Sequence, residues 1–270
     1  LKASSSVHSI ERRRQLSSKV PEITIYFWIA KILTTAMGEA TSDYLVFHVN
    51  PVIAVVLGAI GLCIALIAQF AVRGYMAWVY WFLVVMVSIT GTMAADIVHV
   101  VFGVPFLLST VLFMAMLGAI LFLWDRVDHT LSIHSIVTRR REAFYWLTVM
   151  ATFALGTAAG DMTAATLHLG YFVSGLLFVA LFIVPAIGYW KLGFNDVFAF
   201  WFAYIMTRPL GASFADWTGK PLHEGGLGYG TASVSIVLTL LIILVVGYLS
   251  ATRIDATHAP EEETYDWAQR

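Results

Sequence analysis

Four aspartates, Asp43, Asp96, Asp161 and Asp216, each follow a glycine by five residues and a tryptophan by fifteen. The pattern W-x9-G-x4-D reads Trp28/Gly38/Asp43, Trp81/Gly91/Asp96, Trp146/Gly156/Asp161 and Trp201/Gly211/Asp216. A chain of this composition would supply on the order of 0.02 such matches by chance, so four of them mark the duplication of one unit. One carboxylate at the same place in four equivalent units can form a ring of hard oxygen ligands. Such a ring suits a hydrated cation such as Mn²⁺ or Mg²⁺, or a rim that concentrates cations. Glu39 adds a fifth carboxylate, one residue after the first glycine, where the other units carry Thr92, Thr157 and Ala212.

A histidine follows each aspartate, at His48, His99, His168 and His223, but only Asp96 and His99 have the spacing of three that shares a helix face. Imidazole beside carboxylate would move the metal preference towards Mn, Fe, Zn or Ni and away from Ca. Lys31 and Arg208 lie inside apolar stretches of the first and last units, which a closed ring makes neighbours. Either could pair with Glu39 or an adjacent aspartate, as a static packing pair or as a gate that exchanges its partner for a proton or metal. The competing readings are that each aspartate merely closes its turn, that the histidines are interfacial, and that the two cations attract an anion.

These residues need helices to position them. Hydrophobic residues make up 59% of the 270-residue chain and charged residues 12%, with a mean hydropathy of +0.80. That is the composition of a polytopic membrane protein. Eight apolar stretches, near 21–47, 51–72, 77–102, 105–124, 142–167, 170–190, 194–217 and 227–249, reach the ~20 residues needed to cross a bilayer. Unpaired backbone is not tolerated in lipid, so all eight read as helices.

The expected fold is an all-α integral membrane protein with eight spans, built as four tandem parallel helical hairpins in a pseudo-fourfold arrangement. The expected units cover about 21–73, 77–125, 142–191 and 194–249, within a membrane domain at 21–250 between cytoplasmic tails at 1–20 and 251–270. Second helices carry no Asp, Glu, Lys, Arg or His before Asp125, and first helices carry Lys31, Glu39, Asp43, Asp96, His99, Asp161, Arg208 and Asp216. Ionisable groups at membrane depth face the bundle interior, so the first helices form an inner ring and the second helices an outer one. On a straight helix Asp lies about 22 Å beyond Trp. The glycine between them either admits a neighbouring helix or breaks its own, and Pro209 in the fourth unit favours the break. The tryptophans, each preceded by Phe27, Tyr80, Tyr145 or Phe200, are expected in an interfacial belt or in packing, while their common phase with the aspartates also permits an inner aromatic layer gating a pore.

Thirteen of the 16 Lys and Arg residues fall in the tails and the loops on one side, including Arg12-Arg13-Arg14 and Arg139-Arg140-Arg141, and the opposite loops hold only Lys220. The positive-inside rule puts both termini in the cytoplasm. The tails, including Glu261–Glu263, read as solvated, and the basic runs as contacts to anionic lipid. A lone Cys63 excludes an internal disulfide. There is no HExxH, P-loop or Gly-rich nucleotide loop, so neither an enzyme nor a nucleic-acid partner is expected.

The segments from Lys31 to Glu39, Gly91 to Asp96, Phe144 to Asp161 and Thr207 to Ala212 resemble a family of bacterial membrane proteins. Its members are built from four tandem two-span repeats of unknown function. The resemblance spans about 19–250 and implies a bacterial inner-membrane protein, without supplying a substrate or catalytic residues. The function expected from the residues is a transporter or channel for a small cation, most simply a divalent metal such as Mn²⁺ as substrate, with no cofactor. Glu39, Asp43, Asp96, His99, Asp161 and Asp216 would bind it, and Lys31 and Arg208 would gate or pair. The alternatives are an accessory scaffold subunit with a protein partner, and a transporter for an organic solute or anion held by Arg208.

Overall fold

A computed structural model describes residues 18–256. The tail readings for 1–17 and 257–270, including Arg12–Arg14 and Glu261–Glu263, lie outside the described residues. Eight long helices make up the described chain: α1 (Ile25–His48), α2 (Pro51–Ala71), α3 (Ala77–Asp96), α4 (Phe106–Asp128), α5 (Arg139–Asp161), α6 (Gly170–Leu192), α7 (Asp196–Gly219) and α8 (Thr231–Thr252). Wider π-helical turns, Ile97–Val101 and Met162–Thr166, extend α3 and α5 directly beyond their aspartates. Local chemistry sets several of the starts. Thr24, Thr138 and Asn195 accept from the first-turn amides of α1, α5 and α7, and Asn50 caps α2 ahead of Pro51.

Six helices, α2 to α6 and α8, are long and apolar enough to cross a membrane, so this is a membrane protein. The first and last inner helices, α1 and α7, fall short of that composition because they carry Lys31, Glu39 and Asp43, and Arg208 and Asp216. Burial separates two kinds of helix. Only 17–22% of the apolar stretch of α2, α4, α6 and α8 is buried inside the protein, against 56% for α3 and 72% for α5 with their π turns. Exposed Ile, Leu, Val and Phe on the former group offer the apolar surface that lipid covers.

The inner helices α1, α3, α5 and α7 form a closed ring, each touching the next and α7 touching α1. All four run in the same direction. Phe27, Thr35 and Glu39 of α1 meet Trp81, Ser88 and Thr92 of α3 in order along both helices. The second helix of a unit makes little contact with its own first helix. Instead α2 packs on α3, α4 on α5, α6 on α7, and α8 on α1. The two helices of a unit are thus joined by connectivity, and packing couples each unit to its successor around the ring.

The repeat residues have matching roles in that ring. A side chain on Gly38 would run into Ser88, whose backbone carbonyl carbon lies 2.9 Å from the Cβ position. One on Gly91 would meet Phe153 Cβ at 2.8 Å, one on Gly156 would meet Arg208 Cγ at 2.5 Å, and one on Gly211 would meet the Ala36 amide at 2.8 Å. Every repeat glycine therefore admits the next inner helix, the last receiving the first. The helices are not broken there, and α7 continues through Pro209. The aromatic preceding each tryptophan touches the tryptophan of the next unit: Phe27–Trp81, Tyr80–Trp146, Tyr145–Trp201 and Phe200–Trp28, with centroids 5.4–6.1 Å apart. Trp81, Trp146 and Trp201 are buried, so these residues form an internal aromatic layer and not an interfacial belt.

At the same end, Ser18–Val20 is buried and not solvated. Lys19 pairs with Glu142 at 2.7 Å, and Gln69 donates to the other oxygen of that carboxylate at 3.0 Å.

Candidate functional site

Beyond the aromatic layer the ring interior holds a polar column. Lys31 Nζ comes first, 3.9 Å from the ring centroids of both Phe153 and Tyr204. It is buried, with no hydrogen-bond acceptor among the described residues. The two ring faces take the place of an anion, so Lys31 does not form the carboxylate pair considered from sequence.

One turn further along, Arg208 makes that pair. Its Nη2 donates to Glu39 Oε2 at 2.6 Å, to Thr157 Oγ1 at 2.7 Å, and to Thr92 Oγ1. Two N–H groups are shared among three acceptors, one from each of the other inner helices. These acceptors occupy the position after the repeat glycine, and the fourth such residue, Ala212, is small. The substitution of Glu for Thr in the first unit therefore neutralises an arginine from the last. Arg208 is wholly buried, and its Nε and Nη1 have no partner among the described residues.

The outermost layer is the aspartates. Carboxylate oxygens of Glu39, Asp43 and Asp216 lie within 4.8 Å of one another, and all three residues are buried. Asp96 and Asp161 face the same end from α3 and α5 but stand outside that cluster, half-buried at the start of the π turns. The observed cluster is thus lopsided, drawn to the α1–α7 seam. His99 does not join it. Its ring stacks on Phe106 with centroids 3.4 Å apart, and Nδ1 lies 2.7 Å from the Val104 carbonyl, which fixes it as a donor. His48, His168 and His223 are exposed.

The residue that sequence reasoning missed is Lys220, directly after α7. Its ammonium pairs with Asp43 and lies 3.8 Å from Asp216 Oδ1. Burial works against its charge, yet Asp216 and Asp43 outweigh that and hold it above the ordinary lysine range. Thr92 and Thr157 were visible only as the counterparts of Glu39. The available signal for Lys220 was its spacing of four from Asp216, together with its being the one basic residue on the Asp side.

The column holds five carboxylates and three cations, a formal excess of two negative charges if all are ionised. Among the described residues, the clustered donor set is all oxygen.

A family model described as Repeat of Unknown Function (DUF347) matches the chain four times, at residues 26–75, 79–130, 144–193 and 199–255. The matches follow the four units, each taking in an inner helix and the outer helix after it. No curated protein and no solved structure matches the chain.

Proposed function

From the premise that the chain belongs to this repeat family, whose description names no activity, we propose that it moves a small cation across a membrane. A divalent ion such as Mn²⁺ is the best fit. The observation that carries this reading is the buried Glu39–Asp43–Asp216 cluster at one end of a ring of membrane helices. Hard oxygen donors without imidazole suit Mn²⁺ or Mg²⁺ over Zn²⁺ or Ni²⁺. The column's formal charge excess equals one divalent ion. Three oxygens each about 2.1 Å from one ion stand ~3.6 Å apart when evenly spread, so oxygens up to 4.8 Å apart need to close by about 1 Å.

In this reading all eight helices cross a bacterial inner membrane as four parallel hairpins. Both termini are cytoplasmic, and the Asp end faces outward. The aromatic layer closes the cytoplasmic end of the column, so the structure corresponds to an occluded or outward-facing state. Passage inward requires Arg208 to leave Glu39 and the aromatic layer to part.

The test is flux in proteoliposomes with Mn²⁺, Mg²⁺, Zn²⁺, Ni²⁺ and K⁺, comparing wild type with Asp43→Asn and Asp216→Asn. Mn²⁺ or Mg²⁺ flux that collapses in both variants supports the reading. Folded wild-type protein that conducts none of the five ions sinks it.

The closed aromatic layer favours a second reading, a rigid accessory subunit that docks a protein partner through the basic loop at 126–141. Stoichiometric co-purification of one partner, with no flux, selects it.

A further inference from the structure

The carboxylate cluster already carries a cation of the protein's own. Lys220 reaches it from the first position after α7, with its amide donating to the Asp216 carbonyl at 2.8 Å as the last turn of that helix closes. Its ammonium pairs with Asp43 of α1 and approaches Asp216 of α7. The pairing spans the seam where the fourth unit meets the first.

On its other side Lys220 lines a pocket with Phe47, His48, Pro221, Glu224 and Thr231, and its side chain retains 17% exposure. The ammonium therefore stands between that pocket and the buried carboxylates. The Phe47 ring centroid is 5.6 Å away, within reach of a cation–π contact, on the pocket side.

The loop that follows holds the lysine's backbone and leaves its side chain free to move. Leu227, Tyr229 and Gly230 amides donate to the carbonyls of Trp217, Thr218 and Gly219, and Gly228 donates to Lys220 itself at 2.9 Å. A side chain at Gly226 would strike the Lys220 carbonyl group, whose carbon lies 2.6 Å from the Cβ position. The segment is thus a compact clasp around the Lys220 peptide. With the backbone clasped, side-chain rotation is the simplest motion that uncovers the site.

We propose that Lys220 is a tethered competitor cation: its ammonium fills the Asp43–Asp216 site from the Asp-end pocket and must swing out before a divalent ion can bind. This rests on the cation reading above and adds to it how access is controlled. A monovalent plug on a flexible stem selects for cargo of higher charge, because an ion that takes its place must make up for its loss at two or three carboxylates. The observed affinity is the intrinsic one reduced by the fraction of time the plug is out.

The experiment uses the full chain in detergent and Mn²⁺ as the probe. Affinity is read from the electron paramagnetic resonance of free Mn²⁺, and the accessibility of Lys220 from amine labelling followed by mass spectrometry. A plug seated about 90–99% of the time makes Lys220→Met bind Mn²⁺ about 10- to 100-fold more tightly than wild type. Lys220→Arg, which keeps a charge on a long stem, stays nearer to wild type.

Affinity alone would also rise if the lysine merely repelled the ion through space, so the reactivity of the lysine decides. Saturating Mn²⁺ should speed amine labelling of Lys220 severalfold, because a seated ammonium is paired with Asp43 and a displaced one faces the pocket. Labelling of Lys220 unchanged or slowed by saturating Mn²⁺ overturns the plug while leaving the cation site standing, and it needs no variant to fold. Lys220→Met affinity within twofold of wild type overturns it equally. Absence of Mn²⁺ binding in both wild type and Lys220→Met removes the plug and the cation reading together.

Discussion

Replacing Glu39 by alanine should cost far more than deleting an exposed carboxylate. Arg208 has no exposure, and Glu39 is the only carboxylate it pairs with among the described residues. In Glu39→Ala the guanidinium would keep only the Thr92 and Thr157 hydroxyls, with Nε and Nη1 already unpartnered. Removing one member of a buried ion pair costs about 3–5 kcal/mol, because the other charge is left uncompensated. That is a large part of the ~5–15 kcal/mol that holds a typical domain folded. Removing both charges is different: Glu39→Leu with Arg208→Met replaces the pair by apolar groups of similar length, a change often neutral or stabilising. The double variant should therefore recover most of what either single change loses, a coupling of about 3 kcal/mol between the two sites. Equilibrium unfolding in mixed micelles, with wild type, Glu39→Leu, Arg208→Met and the double, measures all four corners. Single-variant losses below about 1 kcal/mol, or losses that simply add, would refute the burial and pairing described for Arg208.

Other expectations are independent of that pair. Gly211→Ala should destabilise by about 1–3 kcal/mol or more, since its methyl group meets the Ala36 amide and Thr35 of the first unit. Gly118→Ala, on the outer helix α4 with nothing within 4 Å, should be neutral or stabilising by up to about 1 kcal/mol. The same unfolding assay distinguishes them. Lys31→Met should not destabilise, because the ammonium has no acceptor to lose and the methionine can fill the space between Phe153 and Tyr204. A loss above about 2 kcal/mol would show that the two rings hold the ammonium more strongly than described. His99→Ala should leave Mn²⁺ affinity unchanged, since the ring is committed to Val104 and Phe106; a tenfold loss would return it to the site. In a Cys63→Ser background, cysteines placed at Glu224 and at Arg139 should react with a membrane-impermeant maleimide from opposite sides. Labelling from the same side would overturn the eight-span topology.

The regularity of W-x9-G-x4-D made the ring legible. Because the charged residues away from the span ends sit on first helices, their place inside follows from the cost of exposing charge to lipid. The same reasoning made the first and last units neighbours, and the Arg208–Glu39 contact crosses that seam. Other features depended on relations that a linear pattern does not carry. The outer helix of each unit packs on the next inner helix, a choice of neighbour that hydrophobic periodicity does not encode. The aromatic before each tryptophan recurs in the sequence, yet its partner lies one unit away, so the pattern does not separate a belt from the internal layer. Asp96 and Asp161 match Asp43 and Asp216 in sequence, but their helices widen into π turns at that point, where α1 and α7 do not. Lys220 lies in a loop whose path depends on glycines and returning amide bonds, which place its side chain where no helical periodicity would.

The cation reading is tested most directly by locating the ion. A structure of the full chain with Mn²⁺, with data collected for the manganese anomalous signal, should show one strong peak bounded by oxygens of Glu39, Asp43 and Asp216 at about 2.2 Å. Lys220 should be turned away from Asp43. Saturating Mn²⁺ with no peak there and the ion pairs unchanged, or a peak only at surface carboxylates, would contradict a cation site in this column.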